Sequence, residues 1–200
     1  MAGIAVFSSK NPVSQGWLPE FIRIVDEEAR VAWASSVGVM LKQVPTEKRE
    51  QVWGDWIKAY WEKRRDGSPF LLSGAEVEVM ARWLLHLDSA FPEAVEMFLG
   101  SPKPIPKARP SNAFLFMELK DSGLATRFPG SLAKFLLRLT ESESTFPPVD
   151  FIDEMIRSLI PTAASRKVLL DICKRLAVLG APGAAQLKHL VEISRTDESL

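Results

Sequence analysis

The stretch that decides the fold is SGAEVEVMARWLLHL, which occupies residues 73–87. Ser73 stands three residues before Glu76, which is the spacing of a capping box at the start of an α-helix. Apolar residues then recur at steps of three, four and three: Val77, Met80, Leu84 and Leu87. Such steps place side chains on one face of a helix. The stretch therefore predicts an amphipathic helix that opens at Ser73, with Trp83 broadening its apolar face.

The same periodicity extends through the chain on both sides of this stretch. It predicts one helix from Leu18 to about Gln43, in which Gly38 is a weak point, and a second from Thr46 to about Arg65. Further helices are predicted near residues 92–99, 112–120, 129–139, 152–159, 168–179 and 184–191. No segment alternates in the manner of a strand bounded by hairpin turns. The predicted fold class is therefore all-α.

A proline-rich connector, SPKPIPKARP at residues 101–110, interrupts the helices, because proline lacks the N–H that a helix interior needs. We expect one domain with two helical halves, an N-terminal one at 18–100 and a C-terminal one at 111–194. A flexible lead-in at 1–17 and a polar tail at 195–200 flank them.

A short pattern, F-P-x-x-[VL]-x-x-F-L, occurs twice at an offset of 37 residues, starting at Phe91 and at Phe128. Repeats of about that length are typical of stacked helix pairs of the HEAT or TPR kind. Two copies of a short pattern also arise by chance. The expected architecture is an array of antiparallel helix pairs, either a HEAT/TPR-like helical repeat or an irregular helical bundle.

Composition argues against several classes of protein. The 200 residues carry 25 basic and 25 acidic side chains, whereas a general nucleic-acid binder usually has a basic excess that neutralises phosphates. The single cysteine, Cys173, cannot form an internal disulfide, which favours a reducing, cytoplasmic setting. No run of about 18 apolar residues indicates a membrane span, and residues 1–9 lack the basic start of a signal peptide.

The sequence contains none of the common motifs for catalysis or cofactor binding. The glycine patterns that bind phosphate, the zinc motifs H-E-x-x-H and C-x-x-C, and the nucleophile motif G-x-S-x-G do not occur. Cys173, His86 and His189 have no evident catalytic partner in the sequence. We therefore expect no enzyme activity, no catalytic residue, no cofactor and no metal site.

Tryptophan is the residue type that most suggests recognition, and three of the six tryptophans lie within nine residues. We expect Trp53 and Trp56 to be mostly buried. We expect Trp61 to keep an exposed edge beside Arg64 and Arg65, since aromatic and arginine side chains are enriched at binding hot spots. The candidate interaction residues are Trp61, Arg64, Arg65, Lys103, Lys107 and Arg109.

Three segments carry a resemblance to a known family: WGDWIKAYWEKR at 53–64, SPFLLSGAE at 68–76 and FPEAV at 91–95. Over residues 20–178 the chain resembles a helical domain of unknown function found at the C-terminal end of large bacterial proteins. Several of those proteins carry a sirtuin-like NAD-consuming domain and are associated with phage defence. The chain departs from the family pattern at Gly130-Ser131, and no sirtuin-like domain is present. The resemblance therefore implies an accessory role and not NAD consumption.

The expected function is a non-catalytic protein-interaction, sensor or scaffold module in a bacterial anti-phage defence system. Its partner is expected to be a protein, such as a sirtuin-like NAD-hydrolase or another defence effector, and not a membrane. The alternative is a helical-repeat protein that binds nucleic acid. It would use Lys103, Lys107, Arg109, Arg166, Lys167, Lys174 and Arg175. An uncharacterised enzyme is the third alternative.

Helical periodicity in nearly every segment predicts a helix content above about 60%, where an average globular protein has roughly one third. Far-UV circular dichroism of the purified chain measures this content. A spectrum with substantial sheet would contradict the all-α assignment.

Overall fold

The structure, a computed structural model, describes residues 25–66, 72–103, 118–141, 149–162 and 164–194. Within these ranges the chain is all-α, as the sequence predicts, and contains no strand. The chain divides into two compact units, Met1–Pro104 and Ile105–Leu200, and the division falls in the proline-rich connector. The lead-in, most of the connector and the tail lie outside the described residues.

The first unit contains five α-helices among its described residues. They are α1 (Glu27–Gln43), α2 (Thr46–Val52), α3 (Lys58–Asp66), α4 (Gly74–Leu84) and α5 (Phe91–Leu99). A π-helical turn, Trp53–Ile57, joins α2 to α3 without a break. Helix α1 makes its main contact with α4, and α4 also contacts α5.

Helix α4 is the centre of the first unit, because ten of its 11 residues are buried. A helix that is buried all round has neighbours on every side. Its start is the predicted capping box: Glu76 N donates to Ser73 Oγ at 3.2 Å, and Ser73 N donates to Glu76 Oε2 at 3.4 Å. The position and the start of this helix are confirmed, although the sequence predicted one broad apolar face and not burial on all sides.

Helix α1 begins later than the sequence predicts. Asp26 is its N-cap and has extended backbone angles, and Asp26 Oδ1 accepts a hydrogen bond from Ala29 N at 2.7 Å. A residue with this backbone conformation starts a helix and does not continue one. The prediction of one helix from Leu18 to Gln43 is therefore wrong at its N-terminal end and confirmed at its C-terminal end.

The second predicted helix is continuous, but its hydrogen-bond pattern widens in the π-helical turn. Trp53 Nε1 donates to Glu93 Oε2 at 2.9 Å, and Lys58 Nζ donates to Glu93 Oε1 at 2.5 Å. These bonds tie the turn to α5. They also lower the pKa of the Glu93 carboxyl, with the Lys58 bond as the larger cause. A π turn adds one residue to the local ring of backbone bonds, and such turns occur mostly as single insertions within α-helices.

The second unit contains α6 (Leu124–Arg127), α7 (Pro129–Thr140), α8 (Val149–Leu159), α9 (Arg166–Val178) and α10 (Ala184–Ile193). Helices α9 and α10 pack together as a hairpin, and α9 also packs against α7. Helix α8 contacts α6 and α10. Gly123 and Gly180 lie in the gaps between the predicted helices, 112–120 and 129–139 for the first and 168–179 and 184–191 for the second. Both have positive φ, 69° and 75°, which glycine adopts at little cost.

Gly38 allows α1 to approach α4 closely. A Cβ atom at this position would lie 3.3 Å from Trp83 Cδ1. The Trp83 side chain is fully buried, and its Nε1 donates to Ala34 O at 2.8 Å. The indole is therefore fixed against Gly38. This close contact explains why α1 has a glycine at this position, although glycine weakens the helical pattern.

We expect Gly38→Val to lower the free energy of unfolding by about 1–3 kcal/mol, the usual cost of overpacking a core. The valine would have to displace the Trp83 indole. Gly130→Val is the matched control, because Gly130 also lies in a helix and a Cβ there meets no atom within 4 Å. Urea unfolding followed by circular dichroism measures both variants. Equal stability of the two would contradict the close contact between Gly38 and Trp83.

Candidate functional site

Three charged side chains from three helices meet in the core of the first unit. Glu76 of α4 is fully buried, Arg64 of α3 is 2% exposed and Arg30 of α1 is 7% exposed. Arg64 Nε and Nη2 donate to the two carboxylate oxygens of Glu76, at 3.0 Å and 2.6 Å. Arg30 Nε donates to Glu76 Oε2 at 3.3 Å. We call Arg30, Arg64 and Glu76 the buried triad.

The buried triad fixes the positions of α1 and α3 around the start of α4. The Glu76 carboxylate also accepts from the backbone of Ser73, and Arg30 Nη1 donates to Val25 O at 2.6 Å. Desolvating an unpaired ion costs several kcal/mol, and a good partner roughly offsets this cost. The triad therefore contributes mainly to the uniqueness of the helix arrangement and little to its net stability.

Aromatic rings pack beside the buried triad. The ring centroids are 4.7 Å apart for Trp33–Tyr60, 5.8 Å for Tyr60–Trp83 and 6.2 Å for Trp61–Trp83. Tilted and edge-to-face pairs are favourable at these distances. Burial raises the pKa of the Tyr60 phenol above its ordinary value, and the Glu76 carboxylate adds to this increase, while the two arginines oppose it. Tyr60 is therefore a neutral phenol at physiological pH.

Hydrogen bonds as well as apolar contacts orient the indoles. Trp53, Trp61 and Trp83 donate to Glu93, Ser101 and the Ala34 carbonyl respectively. Two buried polar atoms of the cluster, Trp33 Nε1 and Tyr60 Oη, make no hydrogen bond in the structure. The Arg64 guanidinium is close enough to Tyr60 to affect its pKa, but it does not meet hydrogen-bond geometry with the hydroxyl.

Trp61 lies in the core, so the prediction that it keeps an exposed edge is wrong. The side chain is fully buried, and Trp61 Nε1 donates to Ser101 Oγ at 2.9 Å. The prediction assumed that the arginines beside Trp61 face water, whereas Arg64 is itself buried against Glu76, so this part of α3 belongs to the core. Trp53 is buried as predicted, and Trp56 is half-buried.

The other predicted interaction residues fall into three groups. Arg64, predicted to lie at the surface, is buried in the triad. Arg65 and Lys103 are exposed. Arg65 Nη1 lies 3.8 Å from where a Cβ on Gly100 would be, so it stands beside the C-terminal end of α5. Lys107 and Arg109 lie outside the described residues.

Two arginines named for the nucleic-acid alternative bind carbonyl groups at helix ends. Arg175 Nε donates to Thr140 O at 3.0 Å, at the end of α7. Arg166 Nη2 donates to Glu192 O, near the end of α10. A cation is favourable at a helix C-terminus, where carbonyls lack partners and the helix dipole is negative. These arginines therefore have a structural role that their spacing in the sequence does not reveal.

Reactive groups are few among the described residues. Burial raises the pKa of the Cys173 thiol to about 11, so the thiol is protonated and unreactive at neutral pH. His86 is half-buried and His189 is exposed. Within the described ranges no three His, Cys, Asp or Glu side chains are arranged to hold a metal ion. In the same ranges no helix is both long and apolar enough to cross a bilayer.

Two members of the buried triad stand out in the sequence, but with other roles: Glu76 in the capping box, and Arg64 as a candidate interaction residue. The sequence does carry a signal for the burial of Arg30. This residue lies on the same helix face as Ala34, Val37 and Leu41, which are the other buried residues of α1. An arginine in an apolar stripe requires a buried acceptor. The identity of that acceptor, 46 residues away, could not be read from the stripe.

The fold and the buried triad define an all-α domain whose core is held by ions as well as by apolar contacts. Residues 9–172 match the family described as Domain of unknown function (DUF4020), and the chain belongs to this family. The match includes all three residues of the triad. Neither a curated protein nor a solved structure matches the chain.

We expect Glu76→Gln to lower the free energy of unfolding by about 3–5 kcal/mol, the usual cost of breaking a buried ion pair. The combined change Arg30→Met, Arg64→Met and Glu76→Leu should cost less, because it leaves no ion unpaired. Urea unfolding of the wild type and both variants measures the difference. A triple variant that is less stable than Glu76→Gln would contradict the desolvation argument.

Proposed function

We propose that the chain is a non-catalytic interaction, sensor or scaffold module that binds a protein partner. This proposal rests on one observation: several charged side chains of the chain bind other parts of the same chain. The buried triad joins three helices, and Arg166 and Arg175 hold helix ends. Groups used in this way make a framework rigid, and a rigid surface loses less conformational entropy when it binds.

We further propose that the helices form a repeat of the HEAT or TPR kind. The pattern that starts at Phe91 and at Phe128 begins a helix in each unit, with a proline in the first turn of both α5 and α7. Its main apolar positions are fully buried in both helices: Val95, Phe98, Leu132 and Phe135. The pattern thus accompanies the start of a helix in both units, with Phe91 as the first residue of α5 and Phe128 as the N-cap of α7, which supports the repeat.

The contact surface we propose lies at and just after the C-terminal end of α5. Arg65 is exposed beside this end, and Lys103 is exposed four residues after Leu99. Arginine is enriched at protein interfaces and lysine is depleted, so Arg65 is the central residue of this surface. Two cations at one helix end complement a partner that presents acidic side chains. Complementary charge of this kind raises association rates and selects the partner.

Bacterial anti-phage defence, in the cytoplasm, is the setting that we propose, on the strength of the resemblance over residues 20–178. The partner in that setting is a sirtuin-like NAD-hydrolase or another defence effector. The chain supplies recognition, and its partner supplies the chemistry.

Charge reversal at the end of α5 tests the proposed contact. The partner is first identified by co-expressing the chain with the products of neighbouring genes. Arg65→Glu/Lys103→Glu should then weaken its binding at least about tenfold, which corresponds to about 1.4 kcal/mol. Lys42→Glu/Lys48→Glu is the matched control, because both lysines are exposed in the first unit. The proposed surface would be refuted if the wild type and both variants bound the partner equally well, or if both variants lost the same amount of affinity.

Assays on the purified chain separate the other classes of function. Turnover of NAD or ATP that survives repurification, and that disappears when one polar residue is changed, would replace the proposal with an enzyme. A gel shift with nucleic acid that weakens steeply as salt rises would favour the nucleic-acid alternative, since phosphate contacts release counterions. Phage plaque counts in cells that carry the wild type or the Arg65→Glu/Lys103→Glu variant test the role in defence.

A further inference from the structure

The turn between α9 and α10 is an exposed apolar surface. Residues 177–185, AVLGAPGAA, include no charged or hydrogen-bonding side chain. Val178 is 76% exposed, the largest value for a big hydrophobic residue in the described chain. Ala177, Pro182 and Ala185 are also exposed. We call residues 177–185 the tip.

Part of the backbone of the tip is hydrogen-bonded within the hairpin itself. Ala181 N donates to Leu176 O at 2.9 Å, and Gly180 N donates to Ala177 O at 3.0 Å. Together with the positive φ of Gly180, these two bonds form a Schellman motif, which satisfies carbonyls at the end of α9. Backbone groups that are already paired can move from water into an apolar medium at lower cost.

The hairpin that carries the tip is basic, although the whole chain is neutral. Residues 164–194 contain five Lys or Arg and two Asp or Glu, a formal charge of +3, against zero for the chain. Lys174 is exposed one turn before Val178, and Lys188 is exposed one turn into α10. Their acidic partners, Asp171 and Glu192, lie one turn farther from the tip. The charges nearest to the apolar tip are therefore positive on both helices.

We propose that the α9–α10 hairpin binds the surface of an anionic lipid bilayer without crossing it, which departs from the expectation, drawn from the sequence, that no membrane is a partner. The tip enters the boundary between headgroups and acyl chains, and Lys174 and Lys188 contact lipid phosphates. Apolar insertion combined with cations at headgroup level is the usual basis of peripheral membrane binding. Lysine suits this position because its long apolar stem lies along the hydrocarbon while its ammonium group stays in the polar layer.

A bilayer fits the tip better than nucleic acid or a protein surface. Phosphate binding would leave the apolar residues 177–185 without a role, and Arg166 and Arg175 already bind helix-end carbonyls. Protein hot spots rely on aromatic or arginine anchors and directed hydrogen bonds, and the tip has neither. Aliphatic side chains on a turn that ends α9 in a Schellman motif match a partner without fixed hydrogen-bonding positions, which is the boundary of a membrane's hydrocarbon.

Vesicle flotation with the purified full chain tests the proposal. The chain should float with vesicles of equal parts phosphatidylglycerol and phosphatidylcholine at low salt, and it should not float with phosphatidylcholine alone. Val178→Asp should reduce the floated fraction about tenfold, because it places a negative charge at the inserted position. Lys174→Gln/Lys188→Gln should also reduce it and should lessen its dependence on salt.

Two variants outside the hairpin are matched controls. Val39→Asp makes the same change at a valine of α1 that is 62% exposed, and Lys42→Gln/Lys48→Gln removes two exposed lysines of the first unit. Both should float as the wild type does, and circular dichroism should show that every variant is folded. The proposal is overturned if the wild type ignores anionic vesicles, if Val39→Asp loses as much binding as Val178→Asp, or if the lysine variant loses duplex DNA binding but keeps vesicle binding.

Discussion

The arrangement of the first unit depends on one buried carboxylate, that of Glu76, and on the two guanidinium groups that donate hydrogen bonds to it. Arg30 and Arg64 come from different helices, and each must reach the first turn of α4 for the carboxylate to be tolerated inside the core. Any slip of α1 or α3 along α4 would leave an ion without its partner. The ionic requirement therefore selects one register among the many that apolar packing alone would allow.

The aromatic layer around the triad follows from this register. Large rings fill the space beside α4, and three indole N–H groups are tied to acceptors on other helices or loops. An indole with a fixed hydrogen bond has one position, so its neighbours must adapt to it. Gly38 is such an adaptation, because only the absence of a side chain lets α1 lie against Trp83.

Arginine has a repeated structural role in both units. Besides the two arginines of the triad, Arg49 donates to Val44 O just after the end of α1. Arg175 and Arg166 likewise donate to backbone carbonyls at the ends of α7 and α10. Other cations are exposed, among them Arg65 and Lys103 near the end of α5 and Lys174 and Lys188 on the hairpin of α9 and α10. These two places carry the two binding proposals.

The sequence by itself determined the features that depend on near neighbours: the all-α class, the capping box at Ser73, the starts of α5 and α7 at Phe-Pro, and the interruptions at Gly123 and Gly180. Each follows from the backbone preferences of a few adjacent residues. Tertiary structure alone decided which carboxylate pairs with Arg30, that Arg64 is buried and that Trp61 faces inward. Burial of a charge depends on a partner distant in the chain, and the buried Trp61 indole likewise depends on an acceptor, Ser101, that lies 40 residues away.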